Sequence, residues 1–285
     1  MIYSVENEYL KIGVKDYGCE LTSVLDKSTG YEFLWQGDPA VWSGQSPILF
    51  PIVGRLIDDR YTLDGKEYTL VKHGFARKMN WTFIGRTANA LSFRLSDTEE
   101  TRLCYPYAFT FDVKFSLEEK SLSVHHTVKN DNDHVMYFSF GAHPGFNCEI
   151  GDQLVFDQKE TLAAEKIDLV HSLLLPGSVP LLNNESTIEI TRDIFREDAL
   201  ILHGFRSKQI RLLAHGGKQT VRFDLNGAPY LGIWAKPAAP YVCIEPWFGV
   251  NDSQVKKADF SEKNGIVALN AKTEFNYRWT AEFSA

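Results

Sequence analysis

The feature that most constrains this chain is hydrophobic alternation with period two, which recurs from one end to the other. In FTFDVKFSLEEKSLSVHHTV, Phe109, Phe111, Val113, Phe115 and Leu117 share one parity, and Leu122, Val124 and Val128 share the matching one. Strand side chains point alternately to opposite faces, so the segment predicts a hairpin with one buried face and EEKS as its turn. The C-terminal EFNYRWTAEF repeats the pattern: Phe275, Tyr277, Trp279, Ala281 and Phe283 alternate with Asn276, Arg278, Thr280 and Glu282. A helix would scatter these residues around its circumference.

Turn signals punctuate the strands: DKSTG at 26–30, LDGK at 63–66, DND at 131–133, HGG at 215–217 and NGAP at 226–229. Such spacing predicts an all-β protein, a large antiparallel sandwich or barrel. Helical candidates are short, at Thr98 to Leu103 and Arg192 to Asp198. No fixed-period repeat, low-complexity tract or Pro/Ser-rich linker marks a boundary, so residues 1–285 are expected to form one domain.

Composition then limits the function. At 44% apolar and 13% aromatic residues, the chain can build a large core without a metal or disulfide staple. A net charge of −7, with no clustered basic tract, argues against a nucleic-acid partner and suits a small, neutral or locally clamped ligand. Cys19, Cys104, Cys148 and Cys243 are far apart and show no CxxC spacing, as expected of free thiols in a reducing compartment. The N-terminus MIYSVENEYL reads as no leader, and no stretch approaches the ~20 apolar residues of a membrane span, so a cytoplasmic protein is expected.

Four places break the strand pattern with chemically capable residues. In SPILFPIVGRLIDDRY, Pro47, Pro51 and Gly54 put Arg55 on an irregular strand end, either as a functional residue or as the ion-pair partner of Asp58 or Asp59. In VKHGFARKMNW, His73 precedes Gly74, with Arg77 and Trp81 following; it either lines a pocket or sits hydrogen-bonded in a turn. In MYFSFGAHPGFNC, Met136, Phe138 and Phe140 face one way, and parity puts His143 on the opposite, Tyr137/Ser139 face unless Gly141 resets the register. In YVCIEPWFGVND, parity puts Glu245 with Tyr241 and Cys243, at the end of an apolar run. An apolar surround raises a carboxyl pKa toward values useful for a base near neutrality; a salt bridge to Arg55 or Arg77 is the competing reading. His126 takes a core parity position, whereas His125 and His134 face solvent and His171, His203 and His215 lie in turn-like contexts.

Arg55 in GRL, His73 in HGFAR, His143 in GAHPGFN, Asp198 in EDALIL and Glu245 in CIEPW, in that order, resemble the aldose 1-epimerase (galactose mutarotase) family and, more narrowly, its LacX-like branch. The resemblance runs the length of the chain and implies a large antiparallel β-sandwich. It implies that Glu245 is the general base at the anomeric hydroxyl and His143 the general acid at the ring oxygen. By the same resemblance His73 and Arg55 hold sugar hydroxyls and the ring oxygen, and Asp198 binds ring hydroxyls.

That chemistry suits these residue types: opening a pyranose needs one proton to leave the C1 hydroxyl and another to reach the ring oxygen, and one carboxylate with one imidazole suffice. No metal or other cofactor is expected, and the partner is a hexose or hexose phosphate bound by a monomer or homodimer. Trp247, Phe248 and Trp35 offer apolar faces to a sugar or simply fill the core. Arg77, with Arg55 and Lys72 or Lys78, has the chemistry to clamp a phosphate, or Arg77 braces the site through a carboxylate. Rival readings are a carbohydrate-binding module, a glycosidase using Glu245 with Asp198, and a metal site of His73, His143 and Glu245.

Overall fold

Two large antiparallel sheets carry the fold, one built from the alternating segments and the other from the segments that break the alternation. The computed structural model describes every residue except 215, 216, 218 and 256, so two residues of the HGG turn lie outside the described residues. The nine-stranded sheet runs in the order Leu174–Glu189, Gln153–Ile167, Gln209–Leu213, Thr220–Asp224, Glu274–Ser284, Ser121–Asn130, Phe109–Glu118, Ala90–Ser96 and Thr82–Arg86. Its centre is the expected hairpin: Leu117 pairs with Leu122, Phe115 with Val124 and Phe111 with Val128. Trp279 of the C-terminal strand pairs with Val124 from the other side. Phe109, Phe111 and Trp279 are at most 2% exposed, and each buried side chain of this size contributes roughly 1.5–3 kcal/mol.

The second sheet has the order Leu200–His203, Tyr230–Trp234, Tyr241–Phe248, Phe140–Ala142 and Ile48–Leu49, with Gly145–Asn147 also paired to Tyr241–Phe248. One face packs on the nine-stranded sheet: Phe140 and Phe248 meet Phe275 and Tyr277, and Phe146 meets Phe223 and Phe283. The Tyr241–Phe248 strand is therefore covered on both sides, and Tyr241 to Trp247 are all buried. This explains why YVCIE reads as a continuous apolar run instead of an alternating one.

Local signals match as well. Asp64 and Gly65, both at positive φ, form the tight turn of the Arg60–Leu63 and Lys66–Thr69 hairpin. The helix at Glu99–Cys104 starts from Thr98, which exchanges capping hydrogen bonds with Thr101. The second helical expectation is corrected. Residues 192–198 form consecutive turns, with only Phe195 buried among them, and Asp198 leaves at φ 72. One buried residue offers too little apolar stripe to hold a helix against the core. No helix among the described residues is long and apolar enough to cross a membrane, and all four cysteines are free thiols.

Candidate active site

The outer face of the second sheet is the floor of a cavity of about 470 Å³, within the range usual for small-molecule sites. Registers across the sheet align one row of residues: Ile201 pairs with Gly232, and Gly232 with Glu245. On the other side of Glu245 the ladder is interrupted. Gly141 pairs with Trp247 and Gly145 with Cys243, so His143, midway between, falls opposite Glu245. Pro144 in that gap keeps only its carbonyl in the ladder, accepting from the Ile244 amide. The break thus follows from HPG, while the register persists through it.

The result is a direct contact: His143 Nε2 lies 3.2 Å from Glu245 Oε2, with both side chains nearly inaccessible. Trp247 Nε1 donates to the same Oε2 at 3.2 Å. Burial raises the Glu245 carboxyl well above its ordinary range, opposed by the Trp247 hydrogen bond. Burial also lowers the His143 imidazole to about 3, and the nearby Arg77 and Lys72 cations push the same way. Both groups are thereby driven toward their neutral forms, a carboxylic acid beside an imidazole with one titratable proton between them.

His73 enters from a segment knotted to Gly54. The His73 amide donates to the Gly54 carbonyl at 2.8 Å, and the Gly54 amide donates to His73 Nδ1 at 3.2 Å. Nδ1 is therefore the acceptor, which leaves Nε2–H as a donor. His73 and Gly74 both take left-handed backbone, φ 65 and 67, the tight HG turn that the sequence signals. Burial first, then Lys72, His143 and Arg77, hold His73 well below the usual imidazole range, so it is neutral near pH 7.

Asp198, Arg77 and Trp247 also line the cavity, so six of the seven expected site residues come together. Arg55 does not join them. It makes two hydrogen bonds to Asp59, Nε to Oδ1 and Nη2 to Oδ2, each 2.9 Å, which is the ion pair its local sequence offers. Glu245 pairs with neither Arg55 nor Arg77. Trp35 is held elsewhere, its Nε1 donating to the Trp42 carbonyl at 2.8 Å.

Several lining residues gave no sequence signal. Trp42 lies tilted against His143, ring centroids 5.2 Å apart, and closes one wall edge-on to Trp234. Asn251, Lys236 and Arg196 complete the lining. Gly145 makes room for Trp42, since a Cβ there would come within 2.9 Å of its ring. Lys72, Arg77, Arg196 and Lys236 all line the cavity, and among the described residues none of them has a carboxylate ion-pair partner. Arg77 instead donates to the Lys72 carbonyl at 2.9 Å, which keeps the two cations in one corner.

The tightest donor set for a metal is His143, Glu245 and Cys243, with ligand atoms within 4.8 Å of one another, not the trio containing His73. Burial holds the Cys243 thiol up, which opposes the thiolate that a metal would take. A second hollow of about 690 Å³ on the same sheet face contains the His203–Glu165 pair at 2.8 Å, but that histidine is exposed. The first cavity is the one that brings His73 together with the buried His143 and Glu245.

The chain is similar to known proteins over most of its length. The family model described as Aldose 1-epimerase matches residues 1–276. The protein LacX (plasmid) of Lactococcus lactis subsp. lactis is 32% identical over 268 residues, 89% of each chain. A galactose mutarotase related enzyme from Lactobacillus acidophilus is 33% identical with a TM-score of 0.95, covering 100% of this chain and 98% of that one. A galactose mutarotase-like protein from Lactobacillus casei is 28% identical with a TM-score of 0.94, covering 99% and 100%.

Proposed function

The chain belongs to the aldose 1-epimerase family, an isomerase class, and on that premise we propose that it interconverts the α and β anomers of a hexopyranose by acid–base ring opening and reclosure. The observation that carries the reading is the Glu245–His143 contact at the floor of a sugar-sized cavity. Glu245 takes the proton from the O1 hydroxyl as the C1–O5 bond breaks and C1=O1 forms. His143 delivers a proton to O5. Rotation about C1–C2 turns the aldehyde over, O5–H attacks its other face, and the two protons return. The pair begins and ends with the same single proton.

Protonation geometry fits this cycle. The ionised form, carboxylate beside imidazolium, handles the closed ring, and the neutral form, acid beside imidazole, is the state left after opening. Burial favours the neutral form in the free site. A bound pyranose that donates O1–H to the carboxylate and accepts from the imidazolium at O5 favours the ionised one. Oε2 carries the two protein contacts, so Oε1, with no hydrogen-bond partner among the described residues, is the oxygen that meets O1–H. His73 Nε2–H and the Asp198 carboxylate supply a donor and an acceptor for the remaining hydroxyls.

A second reading, a hexose phosphate as substrate with Arg77 on the phosphate, is favoured by the four cations that line this cavity without carboxylate partners. One experiment tests both. Anomer exchange is followed by NMR from freshly dissolved α-glucose, α-galactose and hexose 6-phosphates. Acceleration of any of them supports the epimerase reading, and a higher kcat/KM for the phosphates supports the second. Binding of a sugar without acceleration of any would leave a carbohydrate-binding protein instead.

A further inference from the structure

The sequence offers the Trp247 ring to a sugar or to the core, yet its polar edge points at a protein group. The indole is 3% exposed and spends its only donor on Glu245 Oε2. Its placement depends on two glycines in neighbouring strands. Gly141 is its partner across one ladder, and Gly232, in the strand on the other side, pairs with Glu245 itself. A Cβ at Gly141 would approach the Trp247 ring to 2.6 Å, and a Cβ at Gly232 would do the same at 2.6 Å. Real Cβ contacts are longer, so any other residue at either position would force the indole to move. Neither glycine has a positive φ, so backbone conformation does not explain them. Space for the ring does.

We propose that Trp247 is a positioning residue that fixes the orientation and ionisation of the Glu245 carboxyl, and that Gly141 and Gly232 form the seat that aims its N–H. The inference rests on Glu245 being the reacting carboxylate, although its first test is independent of catalysis. A hydrogen bond to a carboxylate stabilises the ionised form, so its loss makes Glu245 harder to ionise. The same loss frees Oε2 to rotate away from His143, disturbing the proton pair without touching the sugar-binding side chains.

The experiment is a pH titration of the Glu245 side-chain carboxyl carbon by NMR in protein with isotopically labelled glutamate, without ligand, using Glu245→Gln to assign the signal. Trp247→Phe keeps the apolar bulk and removes the donor, and Gly232→Ala and Gly141→Ala keep the donor and displace it. The expected result is a higher Glu245 midpoint in Trp247→Phe, a shift of the same sign in at least one alanine variant, and a kcat reduced about tenfold with KM changed less than about twofold. An unchanged carboxyl midpoint in Trp247→Phe overturns the proposal, as does a loss expressed in KM alone, which would return Trp247 to sugar contact. If the midpoint moves but no protein form accelerates anomer exchange, the positioning role stands and the epimerase reading falls.

Discussion

His143 and Glu245 face each other across two strands whose ladder is interrupted at that level, with Nε2 and Oε2 3.2 Å apart. Because the register is the same above and below the interruption, the contact is built into the sheet and does not depend on a flexible loop. Replacing Glu245 by Gln, or His143 by Asn, keeps the shape and removes one of the two groups proposed to carry a proton. Each should lower catalysed anomer exchange by ~10²–10⁴-fold, measured by NMR, with sugar affinity much less affected. A variant that retains more than half of wild-type kcat would remove that residue from the chemistry.

The pH profile follows from the proton count. On the acid side the pair stops working when it gains a second proton, and burial holds His143 at about 3. Exchange should therefore continue well below the ordinary histidine pKa of about 6.5. On the alkaline side the pair loses its one proton only above the raised Glu245 range. Measuring kcat/KM between about pH 4 and about pH 9 checks this, and an acid limb near 6.5 would mean that His143 titrates as an exposed imidazole.

His126 gives a stability prediction unconnected with catalysis. It is 1% exposed among Phe140, Phe111 and Tyr277, and burial lowers it to about 3. Between that value and the unfolded value of about 6.5, the unfolded chain binds more protons than the folded one. Stability attributable to this residue is complete above about 6.5 and is lost as pH falls toward 3, at up to about 1.4 kcal/mol per pH unit. His126→Phe should lose less stability than wild type between about pH 7 and about pH 5 in urea unfolding. Equal losses would show that His126 is protonated in the fold.

Arg55 tests geometry against resemblance. Its guanidinium is engaged by Asp59 and lies outside the cavity lining. Arg55→Ala is expected to lower kcat/KM less than about threefold and to cost stability of about 1 kcal/mol, as for a partly exposed ion pair. A tenfold rise in KM would show that the arginine leaves Asp59 to meet the sugar.

The antiparallel sheet was readable in the chain because alternation reports a one-sided face directly, as Leu117 opposite Leu122 and Phe115 opposite Val124 show. Two residues of the candidate site were readable where they break that pattern: the imidazole between Gly141 and Gly145, and the carboxylate ending an apolar run. Trp42, Lys236 and Asn251 were not, because each lines the cavity through a fold-dependent approach that no local period encodes. The 192–198 segment misled because its charges and apolar residues suit a helical turn, while only Phe195 finds a core to bury against. The sequence marks Trp247 only as an aromatic ring; its hydrogen bond to Glu245 depends on the space left by Gly141 and Gly232, which no local pattern encodes.

The row Ile201, Gly232, Glu245, His143 reaches, at its far end, the strand Ile48–Leu49, so the floor draws on widely separated stretches of chain. Such pairings have high contact order, and the entropy of closing their loops must be met before any of them is rewarded. During renaturation, strand content should therefore recover ahead of enzymatic turnover, since the hairpin at 109–130 needs only its neighbours and the acid–base pair needs distant segments to dock. A truncated chain lacking either margin of this sheet would keep its local hairpins and leave the proposed catalytic floor incomplete.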